Sequence, residues 1–245
     1  MNTLSSSIMN PPVYKIRSSA ERGHAQHGWL DSYHTFSFAN YYDPAHLGFR
    51  SLRVINQDRV APGAGFATHP HKDMEIFSYV LEGALRHQDS MGNKRDLLPG
   101  QIQLMSAGTG VTHSEFNPSK RDPLHLLQIW IQPERKGLTP SYTEWNPRPE
   151  LESTAKVLVI SPDGRDDSAT IHQDAFVYRL RLAPGETVIH DLSSGRGFWL
   201  QLITGSLRIH DTQLLPGDAL STESGGEHAL SAEGEAVEAL LFDLK

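Results

Sequence analysis

The feature that most constrains this chain is a weak internal repeat, a set of turn anchors that recurs in the same order in each half. Ala61-Pro62-Gly63 returns as Ala183-Pro184-Gly185, and in each half a further glycine follows twenty residues later, Gly83 and then Gly205. The run Gly83-Ala84-Leu85-Arg86-His87-Gln88-Asp89 parallels Gly205-Ser206-Leu207-Arg208-Ile209-His210-Asp211, and Leu97-Leu98-Pro99-Gly100 parallels Leu214-Leu215-Pro216-Gly217. Turn composition alone does not preserve such an order. The period is far longer than the roughly 20–50 residues of a solenoid, so the chain reads as two homologous units in tandem.

Between these anchors lie short apolar or alternating runs broken by Gly, Pro, Asn and Asp. Examples are Ser51–Ile55, Ile76–Leu81, Leu124–Ile131, Lys156–Ile160, Phe176–Leu182, Phe198–Ile203 and Ala236–Leu244. Helical periodicity is scarce. Strands at such spacing predict an all-β barrel or sandwich. Length 245 can be divided into two small β units that each bury a core. From Pro133 to Glu152 the chain carries four Pro, one Gly and many polar residues. The expected division is therefore 1–133, a linker at 134–152, and 153–245.

Two segments carry the chemistry. His69-Pro70-His71 and His113-Ser114-Glu115 each place two metal-ligand side chains two residues apart. On an extended strand, residues i and i+2 point to one face, so each segment is a bidentate clamp. Two facing clamps bring three imidazoles and a carboxylate to one point. That set suits Fe, Mn, Co, Ni, Cu or Zn and leaves coordination positions open. In the second half the positions matching His69 and His71 by anchor spacing are Asp191 and Ser193. His190 and His228 lie nearby, but no paired clamp survives, so the second unit is expected to hold no metal. The other polar and aromatic residues read more blandly. His87 and His125 are expected to be structural; His24, His27 and His34 have no assigned role; Phe66, Phe77 and Trp130 are expected in the core.

Composition excludes several classes. Apolar residues make up 38% and charged residues 21%, ordinary for a globular chain. Net charge is −7 and basic residues occur as isolated pairs such as Lys94-Arg95, which leaves no electrostatic footprint for nucleic acid. No run approaches the ~20 apolar residues of a membrane span. Met1–Asn10 is Ser/Asn-rich, without the basic and apolar regions of a signal peptide, and reads as a loose tail; cytoplasm is the expected location. Cysteine is absent, so thiolate ligands and disulfides are excluded.

Gly63-x5-His69-x-His71-x3-Glu75, followed by Gly83, has the spacing of the first cupin motif. The chain further resembles the pirin family of bicupins, above all its bacterial quercetin 2,3-dioxygenase members. The resemblance runs through His27-Gly28-Trp29-Leu30, Thr35-Phe36-Ser37-Phe38, Tyr41-Tyr42-Asp43-Pro44, Thr68-His69-Pro70-His71, Tyr79-Val80-Leu81-Glu82-Gly83, Asp89-Ser90-Met91-Gly92-Asn93 and Met105 to Gly110, up to His113-Ser114-Glu115. It implies two tandem cupin domains, each a jelly-roll β-sandwich or barrel. It also implies one divalent transition metal per chain, iron foremost, in the N-terminal domain, with His69, His71, His113 and Glu115 as ligands. Glu75 fills the metal-binding place of other cupins, but in pirins the ligand Glu follows the third His, so Glu75 is left as a supporting or surface carboxylate. The implied activity is O2-dependent ring cleavage of a flavonol-like substrate to a depside and carbon monoxide. Glu115 is then both ligand and general base, since a base must lie within reach of the proton it removes. Two other functions fit the same residues: a metal- or redox-sensing coregulator acting through a protein partner, and a non-redox isomerase or lyase.

Overall fold

The repeat anchors coincide with close backbone approaches. In the computed structural model, which describes residues 11–245, Gly83 and Gly205 have φ of 79° and 81°. A Cβ on Gly83 would lie 2.5 Å from the carbonyl oxygen of Pro123, and one on Gly205 would lie 2.3 Å from that of Ala236. Only glycine accommodates both demands, which is why the pair survives in both halves. The Met1–Asn10 tail lies outside the described residues.

The first-half strands are β1 (Lys15–Arg17), β2 (Gly23–Gln26), β3 (Leu30–His34), β4 (Leu52–Val60), β5 (Gly65–His71), β6 (Glu75–Glu82), β7 (Leu85–Asp89), β8 (Lys94–Leu97), β9 (Ile102–Ser106), β10 (Val111–Phe116), β11 (Leu124–Ile131) and β12 (Ser141–Trp145). Those of the second half are β13 (Lys156–Ser161), β14 (Ala169–Thr170), β15 (Ala175–Leu182), β16 (Thr187–Leu192), β17 (Gly197–Thr204), β18 (Leu207–Ile209), β19 (Thr212–Leu214), β20 (Ala219–Thr222), β21 (Gly226–Ala232) and β22 (Val237–Leu244). Each half pairs a seven-stranded sheet with a four-stranded one. The first has orders β12-β9-β6-β11-β4-β3-β2 and β5-β10-β7-β8; the second has β1-β20-β17-β22-β15-β13-β14 and β16-β21-β18-β19. The fold is all-β, a bicupin. Among the described residues no helix is long and apolar enough to cross a membrane.

Two details depart from the expected division. The stretch expected as a linker carries β12, which pairs with β9 from Ser141↔Ser106 to Trp145↔Ile102 and forms the edge of the first large sheet. Tyr142, Thr143 and Trp145 are the β-formers there; the flanking prolines masked them. In the other direction, β1 leaves the first half and pairs with β20 at the edge of the second large sheet.

The runs on β6 and β11 are nearly continuous in apolar residues because those strands are covered on both faces. Phe77, Tyr79, Leu127, Ile129 and Ile131 point away from the first barrel and pack in one cluster with Val159, Val177, Trp199, Leu240 and Phe242 of the second. Glu75 shares this outward face. It is fully buried, and accepts hydrogen bonds from Ser106 Oγ at 2.7 Å and from the His172 backbone N–H at 3.3 Å. It is neither a surface carboxylate nor directed to the metal clamps, because the alternation of β6 turns it to the other side of the sheet.

The inward face of the first large sheet is layered. Leu30, Val60 and Leu124 form one apolar rung, and Val54, Trp130, Ile76 and Met105 another. Between them His34, Asn56, Gln128, Ser78 and Gln103 stand in register across β3, β4, β11, β6 and β9. A polar rung inside a barrel is costly unless it is used.

Candidate metal centre

The two clamps lie on neighbouring strands of the small sheet. β5 and β10 are antiparallel, with His113 opposite His69 and Val111 opposite His71. Thr68 and Pro70 are exposed while His69 and His71 are half-buried, and His113 and Glu115 are buried while Thr112 is exposed. The i, i+2 alternation therefore turns all four side chains inward. A bulge between His113 and Glu115 shifts the register on the β5 side, whereas on the β7 side Glu115 stays opposite His87.

The nitrogens of His69, His71 and His113 lie within 4.8 Å of one another. His69 Nδ1 donates to the Ala67 carbonyl at 2.8 Å, which leaves Nε2 as a bare lone pair aimed inward. His113 Nε2 sits 3.1 Å from it. Two imidazole nitrogens so placed must share either a proton or a cation. Burial, and then the neighbouring imidazoles, push His71 down to about 4 and His113 to about 3. Both are therefore neutral near pH 7, the state that ligates metal. The donor chemistry fits a divalent transition metal.

Glu115 reaches the cluster from one side. Its Oε2 is 3.9 Å from His113 Nε2 and accepts from Gln128 Nε2 at 2.6 Å, while Oε1 accepts from Ser78 Oγ at 2.9 Å. It groups with His87 and His113 rather than with His69 and His71. The three imidazoles thus converge as the spacing implied, and the carboxylate stands adjacent, held by the polar rung.

The structure enlarges the site beyond the residues that spacing indicated. His87 is fully buried, its ring 5.3 Å from that of His113, and its Nε2 pairs with Asp89 Oδ2 at 3.0 Å. It belongs beside the centre; the strand alternation Leu85, His87, Asp89 was a signal for this. His125 faces the other way and meets Gln57. A cavity of about 830 Å³ opens onto His69, His71 and Glu115. Phe66 and Trp130, expected in the core, line it, together with Trp29 and Phe38. His24, His27 and His34, given no role above, are also on its wall.

Asp58 had no sequence signal at all. It is buried on β4, accepts from Ser32 Oγ at 2.5 Å, and lines the same cavity. Burial, with a smaller push from Glu115, raises its carboxyl to about 7 against the opposing hydrogen bond from Ser32.

Comparison with known proteins agrees with this architecture. The Pirin family profile matches residues 15–131, and that of the quercetinase C-terminal cupin domain matches 158–244. Quercetin 2,3-dioxygenase of Escherichia coli K12 is 50% identical over 229 residues, covering 94% of this chain and 97% of that protein. The crystal structure of Escherichia coli YhhW superposes with a TM-score of 0.92 at 49% identity, over 95% of this chain and 98% of that one. Bacterial pirin YhhW in complex with nickel(II), also from Escherichia coli, gives 0.90 at 49% identity, over 95% and 99%.

Proposed function

This chain belongs to the pirin family, and on that premise we propose that it is a metal-dependent quercetin 2,3-dioxygenase that opens the flavonol ring with O2. The observation that carries this is the convergence of three imidazoles on the wall of an aromatic-lined cavity, with a buried carboxylate beside them. His69, His71, His113 and Glu115 would hold one divalent metal per chain. We assign iron to the site: nitrogen and oxygen donors without thiolate, with positions left open, suit it. The nickel(II) complex of the Escherichia coli relative supports a divalent ion in this family.

When bound, the metal supplies a Lewis-acidic charge beside the substrate's enolic oxygen and open positions for exogenous oxygen ligands. The protein's own residues do the rest. Glu115 accepts the proton of the flavonol 3-hydroxyl. Ser78 and Gln128 fix the carboxylate so that its lone pairs face the cavity rather than rotating away. Trp29, Phe66 and Trp130 supply flat apolar walls that orient an aromatic substrate and keep water from the reacting carbon. His87, tied to Asp89, backs His113 and limits its movement.

The second barrel is proposed to hold no metal. Its inward pair is His190 opposite His228, one residue earlier than anchor spacing indicated, because the strand face rather than the turn sets which residues point in. His190 Nδ1 accepts from Lys156 Nζ at 3.0 Å, and His228 is engaged by Tyr14 Oη and the Ser224 carbonyl, both at 2.8 Å.

Oxygen uptake with quercetin tests the function. The iron-loaded protein is expected to consume O2 and release carbon monoxide. Binding of quercetin without uptake, at full metal occupancy, would overturn the assignment.

A further inference from the structure

One wall of the cavity is unlike the others. Trp29 and Phe66 face it with apolar surface, but β3 and β4 present Ser32, His34, Asn56 and Asp58, all at least 96% buried. Their mutual hydrogen bonds use only half their capacity. His34 Nδ1 donates to Asn56 Oδ1 at 2.8 Å, which leaves His34 Nε2 as an acceptor and the Asn56 amide as a donor. Asp58 Oδ1 takes the Ser32 hydroxyl, which leaves Oδ2. Among the described residues none of His34 Nε2, Asn56 Nδ2 or Asp58 Oδ2 has a hydrogen-bond partner, and none is sealed from the cavity.

The register fixes where these atoms stand. Gln128, which holds Glu115, is opposite Asn56, and Asn56 is opposite His34. With neighbouring strands about 4.8 Å apart, the row extends about 10 Å from the Glu115 support along the wall. Buried polar groups left half-satisfied in a cavity mark a place where a ligand completes them.

We propose that His34, Asn56 and Asp58 form a second subsite, which hydrogen-bonds the hydroxyls of an aromatic ring remote from the end of the substrate that meets the metal. The ligand class is a polyhydroxylated aromatic whose two polar ends are separated by a flat apolar middle. Phenolic hydroxyls both donate and accept, matching the imidazole acceptor and amide donor of one rung and the carboxyl group of the next, where Asp58 stands opposite Ser32. Burial keeps His34 below its ordinary value, hence neutral and an acceptor at pH 7. A site that bonds a hydroxyl rejects the analogue lacking it, because its buried groups are then left unpaired. The subsite thus selects among flavonols, and it rests on the dioxygenase assignment only for its substrate class.

The test compares quercetin with galangin, the flavonol that differs only in lacking the two hydroxyls of the pendant ring. Anaerobic dissociation constants, read from quenching of the indoles that line the cavity, are measured for the metal-loaded parent, His34→Phe, Asn56→Leu and the truncations Asn56→Ala and Asp58→Ala. Thermal melts accompany each. The parent is expected to prefer quercetin by at least about tenfold, on the order of one or two net hydrogen bonds. Each variant should shrink that preference toward unity, and the kcat/KM ratio of the two substrates should follow. If melts show the larger replacements misfolded, the truncations Asn56→Ala and Asp58→Ala decide. Equal binding of the two flavonols by the parent, or an unchanged preference in folded variants, overturns the subsite. The binding ratio stands without turnover, so a failure of oxygen uptake would refute the dioxygenase assignment and leave this result readable.

Discussion

At the residue scale the convergence of His69, His71 and His113 was legible because it needs only strand alternation, and alternation survives any register. Glu115 shows the limit: its support by Ser78 and Gln128 depends on which strands neighbour β10 across the barrel. Asp58, His34 and Asn56 were illegible for the same reason, since a lone Asp or Asn on a strand carries no spacing signal. His69→Ala, His71→Ala and His113→Ala are each expected to lose bound metal by elemental analysis while melting as a folded protein. Glu115→Gln keeps shape and one oxygen donor but removes basicity. Reconstituted with metal, it should bind quercetin yet lose at least about 10²-fold in oxygen uptake, the low end for general-base catalysis. Turnover within a few-fold of the parent removes Glu115 as the base. Asp58 sets a pH dependence in the metal-free protein. Its folded value near 7 lies above an unfolded value near 3.9, so the folded state binds the extra proton between them. Stability from this group is therefore full below about pH 4 and falls as pH rises through 7, by up to about 4 kcal/mol. Urea titrations at pH 5 and 8 should show Asp58→Asn flattening that fall.

At the scale of elements, the seven apolar runs read between turn anchors are β4, β6, β11, β13, β15, β17 and β22; six moved by at most one residue at either end, and β4 continues past its expected end to Val60. β12 was missed because Pro140 and Pro147 bracket it and gave the segment the look of a linker. β1 was missed because three residues carry no period, and its partner β20 lies two hundred residues away. This short strand is a strap between the halves. Arg17 is 3% exposed, and its guanidinium donates to the Thr35 carbonyl at 3.1 Å and the Tyr41 hydroxyl at 3.0 Å, so it joins the edge of the second sheet to a loop on the cavity wall. Arg17→Ala should cost about 1–3 kcal/mol in urea unfolding, the range for a hydrogen-bonded charged group. It should also raise KM for the flavonol more than it lowers kcat, since Tyr41 loses its support.

At the scale of the whole molecule, the repeat showed two barrels but not how they join. The join is made by the outward faces of the two large sheets, and its signal was present in the nearly continuous apolar runs of β6 and β11, which a half-exposed strand would not show. The same repeat misplaced the inward face of the second half by one residue, pointing to Asp191 where His190 stands. One metal per chain is expected. Two per chain, with the second lost on changing His190 or His228, would contradict the division of labour between barrels.

Ring cleavage is expected to need the metal proposed for the first barrel. Its most direct test is gas stoichiometry with quercetin on protein stripped by a chelator and then reloaded with iron(II). The stripped protein is expected to take up no oxygen. The reloaded protein should consume one O2 and release one carbon monoxide per flavonol. Uptake that survives complete removal of the metal, or reloaded protein that consumes no oxygen, would contradict it.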